Sequence, residues 1–171
     1  MNLTKKCLAI ALSALFSLSL LVGCTGESGT SGVSASETEY KVGLIQLMEH
    51  PSLDEIRVAI EDELAAKAEA EGFTYTYDYQ NAQGDTATIA NICQKFVADD
   101  VDVIIAIATQ AAQGAATAVE GTDIPVIFSA VTDPVAAGLV ENTEAPEGNI
   151  TGTSDAIPVS KIFDLAAELT P

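Results

Sequence analysis

Four polar clusters in this chain each follow an apolar run: Gln46 to His50 after KVGLIQL, and Thr109, Gln110 and Ala111 after VDVIIAIA. Ser129, Thr132 and Asp133 close IPVIFSA, and Thr153, Ser154 and Asp155 close a short run that begins at Ile150. Asp133 offers a carboxylate to an ammonium group. Thr109 opens a helical stretch, and a helix start presents free N–H groups to a carboxylate. This is recognition chemistry for a small polar or zwitterionic molecule. Each cluster also has a plainer reading. Thr109 caps its helix, Asp133 before Pro134 starts a turn, His50 before Pro51 shapes a loop, and Asp155 is a surface hinge.

Catalytic templates are missing. The chain has no G-x-S-x-G elbow, G-x-G-x-x-G, Walker loop or H-E-x-x-H. Its single His excludes a His-rich zinc centre, and no metal or cofactor is expected. Cys93 falls in a helical stretch beside Ile89, Ile92 and Phe96, which suits a small buried hydrophobe rather than a nucleophile. The sequence reads as a binder, not an enzyme.

The elements that must position these clusters alternate. Lys41–Leu47 reads as a strand, and Ser52-Leu53-Asp54-Glu55 has the spacing of a capping box that opens a helix to about Ala70. Leu53, Ile56, Ile60 and Leu64 form its buried stripe, and Gly72 ends it. Phe73–Tyr79 alternates like an edge strand, and Asp85–Ala98 reads as a helix. Val101–Ala108 and Ile124–Ala130 read as central strands with a helix from about Ala111 to Val119 between them. Ile150–Thr153 and Ile157–Leu169 supply a last strand and helix. Strands joined by helices imply an α/β fold with a parallel sheet of right-handed crossovers, and the expected order is 2-1-3-4-5. In such a sheet the four clusters converge on one rim, where ligands gather.

The amino terminus sets the compartment. Lys5 and Lys6, an apolar core from Cys7 to Leu21, and Val22-Gly23 before Cys24 form a secretory signal peptide over residues 1–23. The Leu-Val-Gly-Cys ending resembles the bacterial lipobox, which makes Cys24 the expected lipidation site. Residues 24–39 are rich in Gly, Ser and Thr and read as a flexible tether. The formal net charge is −18, and all 25 acids follow Cys24 while Lys5 and Lys6 precede it. Such a chain repels nucleic acid, so the expected partners are a small molecule and, through Cys24, the membrane.

Several strings match a known pattern. Gln46…His50-Pro51-x-Leu53-Asp54, Asn81-Ala82-Gln83-Gly84-Asp85, Thr132-Asp133-Pro134-Val135-Ala136-Ala137-Gly138-Leu139-Val140 and Gly148-Asn149-Ile150-Thr151-Gly152 occur in order. From about Tyr40 to Pro171 the chain resembles the bacterial ABC-transporter substrate-binding lipoproteins of tryptophan/tyrosine type. The resemblance implies a type I periplasmic-binding-protein fold, whose N-terminal lobe is a Rossmann-like or flavodoxin-like parallel sheet spanning 40–153 here. Residues 154–171 would be the hinge and the start of a second lobe, because family members continue well past this point; a C-terminally truncated chain is the expectation. By the same analogy Gln46, His50, Leu53, Thr109, Gln110, Ala111, Thr132 and Asp133 line the first lobe's half of the cleft. Ser154 and Asp155 lie at the hinge. Permease subunits are the implied protein partners, and a ligand-sensing lipoprotein feeding a signalling receptor is the alternative role.

Overall fold

The computed structural model describes residues 38–146 and 148–169. The expected signal peptide, the expected lipidation site at Cys24 and the expected tether as far as Glu37 lie outside the described residues.

Five strands form one parallel sheet: β1 (Glu39–Gln46), β2 (Thr74–Asn81), β3 (Val103–Ile107), β4 (Val126–Val131) and β5 (Ile150–Ser154). Their order is β2-β1-β3-β4-β5, as expected from right-handed crossovers. The helices are α1 (Pro51–Glu71), α2 (Thr86–Ala98), α3 (Thr109–Ala118) and α4 (Val159–Leu169). Every strand runs the same way, so all five carboxyl ends share one edge.

Strand parity decides what each face buries. Val42, Leu44, Ile105 and Ile107 form one cluster, covered by Leu53, Ile56, Ile60 and Leu64 of α1 and by Tyr75, Tyr77 and Tyr79 of β2. On the other face Ile45, Ile104, Ala106, Val126 and Phe128 meet Ile89, Ile92, Cys93 and Phe96 of α2 and the alanines of α3. Phe96 lies so close over Gly43 that a Cβ there would stand 2.8 Å from the ring. Glycine is required for that approach.

The helix ends refine the sequence reading at two places. The N-cap of α1 is His50, whose Nδ1 accepts from Ser52 N at 3.3 Å, so Ser52 stands inside the helix rather than capping it. Pro51 occupies the first turn, where its fixed φ and missing N–H cost nothing. Gly72 closes α1 in the left-handed conformation (φ 74°). Asp85 caps α2 by accepting from Thr88 N at 2.7 Å.

Among the described residues the α1 face is covered by one helix, α1 itself. Beside α1, over β3 and β4, runs an apolar groove of about 720 Å³ lined by Ile56, Ile60, Leu64, Ile105 and Ile127 among others. Ile127 of the central strand β4 is consequently 42% exposed. On α4, Ile162, Phe163, Leu165 and Leu169 are all more than half exposed.

Candidate functional site

The sheet reverses its build direction between β1 and β3. The connection after β1 leaves toward the α1 face, and the one after β3 leaves toward the face of α2 and α3. Their divergence opens a crevice at the strands' carboxyl ends, the place where open α/β sheets hold ligands. Gln46 pairs with Ile107, Ile107 with Ser129, and Val131 with Ser154, so the loops after β1, β3, β4 and β5 follow one another along this rim. Adjacent strands stand about 4.8 Å apart.

The loop after β1, Leu47–His50, forms the first wall and is held from three sides. Leu47 N donates to Ile107 O (3.3 Å), Gly84 N donates to Leu47 O (2.8 Å), and Asp54 N donates to His50 O (2.9 Å). His50, Glu49 and Met48 are exposed at its tip. Gln46 is fully buried, and its Nε2 donates to Met48 O and to Asp54 Oδ1, each at 2.7 Å. Its parity with Val42 and Leu44 turns it under α1, a signal readable from the strand pattern. Leu53 packs on the same apolar cluster.

The second wall starts at Ala108. This residue is the N-cap of α3 and has φ 81° and ψ 156°, a region that residues with a Cβ rarely occupy. Its N–H donates to Ser129 O at 2.9 Å, which ties the turn to β4. No side chain caps α3, so the first-turn amides of Thr109, Gln110 and Ala111 remain for an outside acceptor. Thr109 is therefore the first helical residue and not the cap. Ala111 is fully buried and has only its backbone to offer, while Gln110 borders a groove between α2 and α3.

The third wall follows β4. Ala130 also has positive φ (55°), beside a register irregularity between Phe128 and Val131. These two unusual alanines on neighbouring strand ends had no signature in the sequence. Asp133 is exposed; its Oδ1 accepts from Ala136 N at 2.9 Å and its carbonyl accepts from Ala137 N, so it starts the turn that follows. Ser154 Oγ donates to Thr132 O at 2.9 Å and accepts from Ala156 N at 3.2 Å, joining the ends of β4 and β5. Asp155 N donates to Val131 O at 3.4 Å.

Nine of the ten candidate residues share one rim but differ in what they present, and the tenth, Gln110, borders the α2–α3 groove instead. Thr109, Thr132, Asp133, Ser154, Asp155 and His50 have surface to offer, whereas Gln46, Leu53 and the Ala111 side chain are turned inward. Asp54, Tyr79 and Asn81 join the wall without having been singled out for it. Tyr79 OH donates to Gln46 Oε1 at 3.4 Å, and Asn81 Nδ2 donates to Tyr79 OH at 3.4 Å. The rim is acidic, with Glu49, Asp54, Asp133 and Asp155. Arg57 is the cation nearest the first wall; it is engaged by Glu61 at 2.7 Å and lies 4.9 Å over the Tyr79 ring. Cys93 stands away from the rim, and burial pushes its thiol up to about 12. No group of three or more His, Cys, Asp or Glu placed to hold a metal ion occurs among the described residues.

Comparison with known proteins places the chain in a family. The ABC transporter substrate binding protein family model matches residues 41–171. A protein of Clostridioides difficile named as a tyrosine-binding protein is 40% identical over 98% of this chain, and the chain spans 50% of its length. A Streptococcus ABC domain solved with L-Trp superimposes with a TM-score of 0.69 at 40% identity, covering 78% of this chain and 44% of that one. The ligand-free, open structure of a substrate-binding protein with adhesive properties from Clostridium difficile gives 0.66 at 42%, covering 77% and 44%. The chain therefore spans about half the length of these relatives. A five-stranded parallel sheet and a family match over most of the sequence lead to one assignment: the chain belongs to the ABC transporter substrate-binding protein family.

Proposed function

We propose that this chain is the ligand-gathering lobe of an extracytoplasmic solute-binding lipoprotein that captures an aromatic amino acid for an ABC permease. The observation that carries the reading is an uncapped helix start and an exposed carboxylate that follow neighbouring strands, β3 and β4. The first-turn amides of α3, with the Thr109 hydroxyl, suit an α-carboxylate. Asp133, whose Oδ1 is held by Ala136 N, suits the α-ammonium. His50, Thr132, Ser154 and Asp155 stand along the same rim for further polar contacts. The aromatic preference is drawn from the relatives, one named for tyrosine and one solved with L-Trp.

Attachment through acyl chains on Cys24 completes the reading, since several chains hold a protein at a membrane where one does not. Replacing Cys24 with Ser should move the protein from the membrane fraction to the soluble one, as read by fractionation; retention on membranes would count against lipidation.

Calorimetric titration with L-tyrosine and L-tryptophan tests the ligand. Asp133→Asn keeps an oxygen for Ala136 N, removes the charge and puts an NH2 donor where the outer oxygen stood. It should weaken binding by about 1–3 kcal/mol, the range for losing a charged hydrogen-bond partner. Equal affinity in the variant would remove Asp133 from the site.

A further inference from the structure

Resting on this binding reading, we infer that Gln46 is a positioning residue that fixes the crevice's first wall and makes no contact with the solute. A primary amide has two N–H donors. Both are committed here, to Met48 O and to Asp54 Oδ1 at 2.7 Å each, and the side chain is fully buried. Its oxygen accepts from Tyr79 OH. Both donors are occupied and the whole side chain is buried, so it offers a ligand no surface. Instead it ties the middle of the irregular loop Leu47–His50 to the first turn of α1, where Asp54 resides.

The tie is built into a longer chain of contacts. Tyr79 carries the Arg57 guanidinium on its ring, Arg57 Nη1 donates to Glu61 Oε1 at 2.7 Å, and Tyr77 OH donates to the same oxygen at 2.9 Å. The loop carbonyl of Met48 is thereby linked through side chains to the second turn of α1 and to two positions of the edge strand. Met48 also touches the loop after β2, since a Cβ at Gly84 would stand 3.1 Å from its methyl. Without the Gln46 amide, Met48 O and the half-buried Asp54 carboxylate both lose their donor, and the loop keeps only its ends fastened.

Hydrogen exchange on the ligand-free full chain reads this directly. In Gln46→Met, which keeps the volume, the hydrogen-bonded amides that fasten the loop, those of Leu47, Ser52, Asp54 and Gly84, should exchange about tenfold faster or more. That is the size expected for losing one charge-assisted hydrogen bond. The amides of β3 should change only as much as the global unfolding equilibrium does in urea. Asp54→Leu should reproduce the loop effect, and Asp54→Asn, which keeps an acceptor, should restore protection. The double variant Gln46→Met/Asp54→Leu should be no worse than the stronger single one. Equal acceleration of the loop and β3 would reduce Gln46 to an ordinary core residue, and unchanged loop exchange would overturn the proposal outright. Should Gln46→Met not fold, the Asp54 pair decides by the same criteria. Failure of the wild-type chain to bind L-tyrosine or L-tryptophan would defeat the aromatic-amino-acid reading alone, because the exchange data are collected without ligand.

Discussion

The two faces of the sheet are made from the same five strands, yet one is closed and the other half open. Two helices, α2 and α3, cover one face and bury Cys93, Phe96, Ala111, Ala112 and Ala115 completely. On the opposite face α1 shelters the strands from β2 to β3, leaving Ile127 of β4 beside an apolar groove. The residue types are alike on both sides; what differs is how many crossovers fall there. Moving from β1 out to β2 needs one crossover on the α1 face, while moving from β2 to β3 and on to β4 places two on the other. Burial follows from connectivity rather than from hydrophobicity alone.

The largest expected effect tests the closed face. Phe96→Ala removes a fully buried ring and leaves a cavity over Gly43; it should cost about 3–5 kcal/mol in denaturant unfolding. A loss below about 1 kcal/mol would mean that this face can collapse around the gap, and the contrast between the faces would fail.

A smaller effect sharpens the same contrast by pH. The Cys93 thiol rises from an ordinary 9.0 to about 12 because burial disfavours the thiolate. Above pH 9 the unfolded chain releases this proton while the folded chain keeps it. The stabilisation is therefore complete below pH 9 and declines as pH climbs toward 12. The alkaline decline should be shallower in Cys93→Ala than in the wild type, by comparison of unfolding midpoints at pH 8 and 10.5; parallel curves would place the thiol in water.

The smallest effect belongs to the open face. Ile127→Thr should change stability by no more than about 0.5 kcal/mol, as a half-exposed site does, and should retain the β-branched shape that strands favour. A cost of about 2 kcal/mol, the scale of a buried core site, would mean that the groove is filled in solution.

The rim shows a parallel difference between its walls. At the first, every polar group of the Gln46 side chain is spent on the protein itself, while at the second and third the α3 amides and the outer Asp133 oxygen face outward. The sequence made the common location of these residues legible, because parallel strands joined by helices must end at one edge. Which of them turn inward was harder to see. Gln46 has the parity of Val42 and Leu44, but a glutamine at a strand end gives no warning that two acceptors, one from a helix eight residues later, will meet it. Ser52 misled for a similar reason: its spacing to Glu55 fits a capping box, and the tertiary path through His50-Pro51 started the helix two residues earlier.

By itself the sequence determined the α/β alternation and the parallel sheet at whose edge the polar clusters gather; the strand order was an expectation that the structure settled. Alternation and sheet depend on local periodicity and on the handedness that the peptide backbone imposes on crossovers. The sequence also carried Gly43, where a Cβ would strike the Phe96 ring, and Gly72, whose left-handed conformation glycine adopts without strain. Only the tertiary structure decided the strained turns at Ala108 and Ala130, the inward commitment of Gln46 and the partial exposure of Ile127. Each depends on atoms brought together from distant parts of the chain, and the alanine or glutamine at such a place looks the same in sequence as one that does nothing.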